Sequence, residues 1–593
     1  MEDQTIFDFI TTEITKYNQP ITLEEGWDWS MKEHIRRSFL YLNSQFYEDN
    51  DNRHLRPFKN IVLPILNIQF RTEGFDVKDI ELYVDNKDDY FKSLLVRKYH
   101  TKWALAEEID TFIDEMVDSY ATYGGALIRK TKKAKPEIVD LRSLAFANQH
   151  DILANPFGIL HELSFSQLRE RAEQLGWGTE GSDIDIESLI SLVKKEDKDV
   201  VKVYEVHGNL PIEWLNDEDI VDESRKDVRQ IQVVAEYMKP EGQKAGVTLF
   251  RKKMPKLPFK LIKRDTVENR ALGRGGVEEL FDAQEWTNQD EIWVTEMLDA
   301  ASKNVFWSDD PSAKTNNNLN DIDNNEILSL QQGNKIQQLD TYPRNIAVFN
   351  DSIDRFWQHA QLVGAGPDAL MGEEPTAGTP FKSYEAQQIE GKGLHKHRQG
   401  KIAVKMDELY RDWVLPYFKT EVVKEQNFME QLSADEMADV VEQVMIKKTN
   451  EFKKRMILGL QPIDTDMVTL YEEKVRDDTI KKGSKRFFEI LKEEMANLPI
   501  AVMTNIAGKQ KNLNILTDKV VNVIRQYLAT PELRNDPEMG KIVNMVLESS
   551  GLNPISIVPK PMPQQAPQQQ PQGNTAGLQA LGEGAMRGEQ VNA

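Results

Sequence analysis

GRGGVEELFDAQEWTNQDEIWVTEMLDAAS (Gly273–Ser302), SDDPSAKTNNNLNDIDNNE (Ser308–Glu326) and VGAGPDALMGEEPTAGTP (Val363–Pro380) decide how this chain is read. The first reads as a helix from Gly276 to Ser302. The second is a polar, Asn-rich insertion. A second helix follows it, then the Gly/Pro loop, then a long helix running towards Val423. Gly364, Gly366, Gly372 and Gly378 make the loop mobile, and Pro367, Pro375 and Pro380 keep it out of helix. Two helices separated by a polar insertion suit a rod that projects from a body. That is mechanical architecture, and no catalytic signature sits on it.

The rest of the chain sets the context. At 593 residues it is too long for one core, and roughly three to five modules are expected. Hydrophobic residues make up 40% and charged residues 29%, a globular composition, with a net charge of -23. Phosphate affinity comes from Lys and Arg, so tight groove-reading DNA binding is not expected, although an acidic surface can lie near DNA without gripping it. The absence of cysteine removes disulfides, thiolate nucleophiles and Cys-based zinc sites, and fits a reducing compartment. No apolar run is long enough for a membrane span, and the acidic start MEDQTIFDFI is unlike a signal or transit peptide.

Residues up to about Asp51 read as helical and polar, with Ile35, Phe39, Leu42 and Phe46 at helical spacing. KWALAEEIDTFIDEMVDSYATYG (Lys102–Gly124) reads as one amphipathic helix with Ile109, Phe112, Ile113, Met116 and Tyr120 on a single stripe. Strands are expected in ALIRK, EIVDLRSLAFA, VVKVYEVHGNLPIEWL and QIQVVAEYM, which makes the first 270 or so residues an α+β body. The C-terminal third reads as helical, in FFEILKEEMANLPIAVMTNIAG, NILTDKVVNVIRQYLAT and PEMGKIVNMVLESSG. From Pro559 the chain is Pro/Gln-rich and cannot bury a core, so a disordered tail is expected.

Motifs of enzymes are absent: there is no GxxxxGK[ST] loop, no HExxH and no GxSxG. GRGGVE has Glu278 where a dinucleotide fingerprint needs its third glycine, and reads as a tight turn that starts a helix. His395 and His397 face different ways on a helix and have no carboxylate or Cys partners in sequence, so they read as part of a solvated basic face. Asp309 and Asp310, in a loop, read as solvated charges. Lys382, Lys392, Lys396, Arg398, Lys401, Lys405 and Arg411 outnumber Glu385, Glu390, Asp407 and Glu408. That segment reads as an exposed helix face with i,i+4 pairs, or as a contact for phosphate or an acidic neighbour.

In their order, VDSYATYGGALIRK, LAFANQHDILANP, ILHELSFSQLRERAEQLGWG, GRGGVEELFDAQEWTNQ and TAGTPFKSYEAQQ resemble the tailed-bacteriophage portal proteins, the head-to-tail connectors, over most of residues 30 to 550. TAGTP departs from the family's threonine–glutamate pattern. The resemblance implies a helix-rich α+β fold with wing, stem, clip and crown. Residues 1–272 would be the wing, 273–303 the first stem helix, 304–345 the clip and 346–364 the second stem helix. Residues 365–381 would be the tunnel loop, 382–480 the long helix and wing return, 481–557 the crown and 558–593 the disordered tail. It implies a ring, usually of twelve subunits, at one capsid vertex, through which double-stranded DNA is packaged and ejected without sequence preference. Terminase, a head–tail adaptor and the major capsid and scaffolding proteins would be its partners, with no cofactor, metal, catalytic residue or membrane. Gly364, Gly366, Pro367, Leu370, Met371, Gly372 and Thr379 would face DNA. Lys382, Lys392 and Lys396 would supply phosphate contacts. Asn334, Lys335, Ile336 and Leu339 would dock partners, the segment around them being able to pair with a neighbour's strand. The other readings are a non-portal virion scaffold and a nucleotide-dependent enzyme.

Overall fold

A computed structural model describes residues 5–47, 56–84, 90–179, 182–194, 198–215, 226–302, 306–316, 329–338, 345–366, 393–421, 434–459, 465–477 and 500–504. The chain divides by contacts after Gln510, and the second unit, Lys511–Ala593, lies wholly outside the described residues. So do the last two helices expected there and the Pro/Gln-rich tail.

The first unit is α+β. Helix α1 (Ile6–Tyr17) is followed by the hairpin β1 (Ile21–Glu24) and β2 (Trp27–Trp29), and then by α2 (Met31–Leu42). The helical reading of the N-terminal region holds for α1 and α2 and fails at the hairpin between them. Gly26 turns it at φ +81°, and the residues around it are β-formers. Helix α3 (Val62–Glu73), strand β3 (Ile80–Val84), α4 (Tyr90–Ala106) and α5 (Ile109–Tyr123) come next. The single helix expected over Lys102–Gly124 is therefore two, broken where Glu108 enters the left-handed region at φ 54°. The break lets α4 carry Tyr99 and Trp103 onto the later ring of Phe418, at centroid distances of 5.0 and 5.2 Å. Ile109, Phe112, Ile113, Met116 and Tyr120 are buried, as their spacing on α5 demands.

Strands β4 (Gly125–Lys130), β5 (Pro136–Val139), β6 (Leu144–Phe146) and β7 (Phe157–Ser164) follow, then α6 (Phe165–Leu175) and α7 (Ile186–Lys194). β8 (Val200–Pro211), β9 (Asp227–Met238), β10 (Lys244–Lys253) and β11 (Phe259–Lys263) complete two antiparallel sheets, ordered β10-β9-β8-β7-β6 and β11-β4-β5. Helices α6 and α7 bury Leu168, Ala172, Leu189, Ile190 and Val193 against the larger sheet. Phe7 and Ile10 of α1 join a separate core with Phe146, Val206 and Val234.

Two glycine stretches position the long helices that come after the sheets. Gly124 caps α5 at φ +80°, and a Cβ there would lie 2.3 Å from the Gly273 carbonyl oxygen. The Gly276 amide donates to the Ala121 carbonyl at 2.6 Å, and the Gly273 amide to the Gly124 carbonyl at 3.1 Å. Backbone packs directly on backbone here, which only residues lacking Cβ allow. GRGG is thus a packing joint that starts the helix α8 (Phe281–Ser302).

Beyond α8 lie β12 (Phe306–Ser308), the single turn α9 (Ala313–Asn316), β13 (Ile336–Gln338) and α10 (Ile346–Val363). Then come α11 (Gly393–Leu409), a π-helical stretch at Tyr410–Val414 and α12 (Leu415–Glu421). α13 (Ala434–Leu458) and α14 (465–477) pack with Phe452 stacked on Tyr471 at 4.4 Å. Last is β14 (Ile500–Thr504), antiparallel to β3 with Val502 opposite Leu82. This corrects the helix expected over that segment: IAVMT is rich in strand formers, and Pro499 before it cannot donate to a helix ladder.

Candidate functional site: a charge cluster at the root of a helical hairpin

Helices α8 and α10 form an antiparallel pair. Trp286 stacks on Phe356 with centroids 6.3 Å apart and Trp293 tilts over Phe349 at 5.6 Å, so one turn-pair forward on α8 is one turn-pair back on α10. The buried face of α8 is polar: Gln284, Thr287, Asn288 and Asp290 point inward. The reason is local. Residues 59–61 have no ladder partner, and α8 reads their backbone. The Ile61 amide donates to Gln284 Oε1 at 2.9 Å, Gln284 Nε2 donates to the Lys59 carbonyl at 2.7 Å, and the Lys59 amide donates to Asn288 Oδ1 at 3.1 Å. Large apolar side chains lie outward instead, with Trp286 51%, Leu298 51%, Val348 61% and Leu362 81% exposed. No residue from Trp293 to Ser302 is buried, and the first buried residue of α10 is Ile353. The pair is rooted at one end and open to solvent at the other.

The open end carries the two-stranded sheet β12–β13, with Phe306 opposite Gln338 and Ser308 opposite Ile336. Asp310 is buried rather than solvated. Its Oδ1 accepts from the Ser312 amide at 2.8 Å and the Ser312 hydroxyl at 2.6 Å, and its Oδ2 accepts from the Gln331 amide at 2.7 Å. The Ser312 hydroxyl first, and then the Gln331 amide, hold this carboxyl below its usual range.

The rooted end rests on a buried charge cluster. Glu73 closes α3, Arg264 and Asp265 leave β11, Glu279 starts the turn into α8, and His395, Arg398 and Lys401 lie on α11. Arg264 Nη2 donates to Glu73 Oε1 at 2.8 Å and to Gln69 Oε1 at 3.0 Å. Arg398 Nη2 donates to Asp265 Oδ2 at 2.7 Å and to Glu279 Oε1 at 2.9 Å. Lys401 Nζ donates to the Arg264 carbonyl at 3.0 Å. His395 lies with Nδ1 3.0 Å from Glu73 Oε1 and with Nε2 donating to the Ala365 carbonyl at 2.9 Å. Burial pushes the Glu73 carboxyl up, but the His395 hydrogen bond and the two guanidinium groups outweigh it and hold the group below its usual value. At Glu279 burial wins, and its carboxyl is raised despite Arg398 and Arg264. Charges paired in this way are costly to bury and costlier to unpair, at about 3–5 kcal/mol for loss of one partner.

This cluster corrects the solvated basic face expected on α11 for His395 and Arg398, while His397 is exposed as expected. His395, Arg398, Gln399, Ile402, Met406 and Leu409 form its buried face, and Lys401 and Lys405 are paired with Asp265 and Glu408. Lys396 is exposed on the same helix. Gly364 and Gly366, expected to open a DNA-facing loop, are buried parts of the α10 terminus. A Cβ on Gly364 would meet Ile65 at 2.4 Å. Pro367, Leu370, Met371, Gly372, Thr379, Lys382, Lys392 and Leu339 lie outside the described residues. Asn334 is half-buried in a turn, donating to the Gln331 carbonyl at 3.1 Å; Lys335 is exposed, and Ile336 opens β13. Glu73, Arg264, Asp265 and Glu279 carry no signal in sequence, because each partner lies far along the chain and no local spacing links them. Among the described residues no group of three or more His, Asp or Glu side chains is placed to hold a metal, and no helix is long and apolar enough to cross a membrane.

No family model and no curated protein matches this chain. Solved structures similar to it include chains of gene transfer agent particles. A chain of the virion of a native gene transfer agent particle shares 10% identity over 77% of this chain and 99% of its own, with a TM-score of 0.31. A chain of the neck of an empty gene transfer agent particle, computed with C6 symmetry, shares 9% identity over 76% and 100%, with a TM-score of 0.33. Likeness at this level decides neither fold nor function, so the chain's own residues have to carry the functional reading.

Proposed function

We propose that this chain is the ring-forming portal subunit of a tailed-phage-like virion, set at one capsid vertex, through which double-stranded DNA enters and leaves. The observation that carries the reading is the hairpin of α8 and α10, buried at its root, with Trp286, Trp293, Leu298, Val348 and Leu362 exposed along it among charged residues. Large apolar side chains gathered on one exposed element suit contact with another chain, within a polar surround. Fully burying a large apolar side chain stabilises by about 1.5–3 kcal/mol, so a few per interface suffice to drive association. Identical subunits meeting by a rotation that closes give a ring through heterologous contacts.

In this reading the helices are the stem, and residues 304–345 form the clip that docks terminase and then the tail adaptor. The protein has no catalysis of its own. A net charge of -23 per subunit suits a conduit that DNA passes without adhering. Lys396, with Lys382 and Lys392, supplies what phosphate attraction there is. Light scattering behind size exclusion, followed by electron microscopy, tests the proposal. A closed ring whose mass is a multiple of the 68.2 kDa chain is expected. Monomers alone, or open filaments, would sink it, as would ATP hydrolysis by the purified protein.

A further inference from the structure

The end of α10 has an unusual construction. The Gly364 amide donates to the Ala360 carbonyl at 2.8 Å, and the Gly366 amide reaches back to the Gln361 carbonyl at 2.9 Å. This pattern puts the residue between them in the left-handed region, where helix termini favour glycine. That residue is Ala365, at φ 51°. Glycine stands instead at 364, where Ile65 leaves no room for a Cβ. A side chain held at positive φ persists only when its surroundings over-determine it. Two hydrogen bonds do so here. The Ala365 carbonyl accepts from His395 Nε2 at 2.9 Å, and the Gly364 carbonyl accepts from Gln69 Nε2 at 3.0 Å. His395 and Gln69 belong to other helices, and both are tied into the charge cluster, His395 through Glu73 and Gln69 through Arg264.

We infer that Ala365 is a strained joint held shut by His395, so that the charge cluster decides whether the last turn of α10 stays closed. With His395 in place the terminus is clamped to α11. Moving α11 away, or removing the imidazole, lets residue 365 relax towards ordinary backbone, and the last turn opens. The first helix of the hairpin shares the clamp through Glu279, which accepts from Arg398 at 2.9 Å. A displacement of α11 is therefore transmitted to both helices of the hairpin at their roots. The joint stands on the geometry of one chain and holds whether or not the chain forms a ring.

Amide hydrogen exchange on the full chain, read by mass spectrometry with fragmentation to single residues, tests the joint. In His395→Ala the Gly364 and Gly366 amides should exchange at least about tenfold faster, while those of β8 keep their protection. Adding Ala365→Gly should restore protection to within about threefold of the original, because glycine adopts the left-handed region without strain. Ala365→Gly alone should slow exchange at the same two amides. Unchanged exchange at Gly364 and Gly366 in His395→Ala overturns the inference, and so does a failure of Ala365→Gly to slow it. If β8 also loses protection in His395→Ala, the Ala365→Gly single variant decides alone: slower exchange supports the joint, and equal or faster exchange overturns it.

Discussion

Single residues in this protein act mostly as partners for charges that burial would otherwise make intolerable. Glu205 on β8 is the plainest case. It is buried, accepts from Arg129 Nη1 at 3.0 Å and from His161 Nε2 at 2.9 Å, and lies 2.7 Å from His207 Nε2. Burial pushes its carboxyl up, yet the histidines and Arg129 overcome this and hold it well below the usual range. Glu205→Gln leaves Arg129 without its counter-charge and should cost about 3–5 kcal/mol, seen as a lower urea midpoint. A loss under about 1 kcal/mol would show the pairing to be energetically idle. His100 gives a prediction in pH. Its Nε2 lies 2.9 Å from the Tyr410 hydroxyl, and burial lowers its pKa to about 4. The unfolded chain takes up that proton near pH 6.5 and the folded chain only near 4, so stability is full above 6.5 and falls as pH drops through this window. The loss is roughly 3 kcal/mol at most. His100→Gln should flatten the stability profile between pH 6.5 and 4, and an unchanged slope would place the acid sensitivity elsewhere.

At the scale of elements, the hairpin divides into a half that the body holds and a half that it does not. Trp293→Asp together with Leu298→Asp puts charge on the exposed half. The thermal midpoint of the monomeric body should shift by no more than a few degrees, because neither residue is buried in it. Assembly should be abolished, as light scattering would show. Intact rings in the double variant would move the seam off this face. The tip has its own clamp: Asp310→Ala removes the carboxylate that joins Ser312 to Gln331 and should speed exchange of the Gln331 amide about tenfold while the body is unaffected. Polar residues on the inner face of α8 hid its orientation from the sequence. An apolar stripe normally marks the buried side of a helix, and here residues 59–61 reverse the rule by demanding hydrogen bonds from Gln284 and Asn288.

For the whole molecule, charge sets a condition on assembly. Every copy of the chain carries a net charge of -23, so bringing copies together as proposed meets repulsion that salt screens over about 10 Å at 0.1 M. An apolar seam is indifferent to that screening. Ring formation should therefore strengthen between low and moderate ionic strength, measured by sedimentation velocity across a salt series. Rings that dissociate as salt rises would mean that the seam is held by opposite charges instead.

The sequence alone determined the order of elements wherever the cause is local. Strands β4, β5, β6, β8 and β9, the stripe on α5, the two helices on either side of the Asn-rich insertion and the glycine turn before α8 all follow from periodicity and turn chemistry among near neighbours, whereas β7, β10 and β11 were not read from the sequence. The break at Glu108 and the burial of His395 and Arg398 were decided only by the tertiary structure. In both, a partner far along the chain outweighs local preference: aromatic contacts to Phe418 and Tyr410, and a carboxylate at Glu73. A charged residue looks alike in sequence whether water or a buried counter-ion awaits it, because the difference lies in desolvation, which only the folded chain defines.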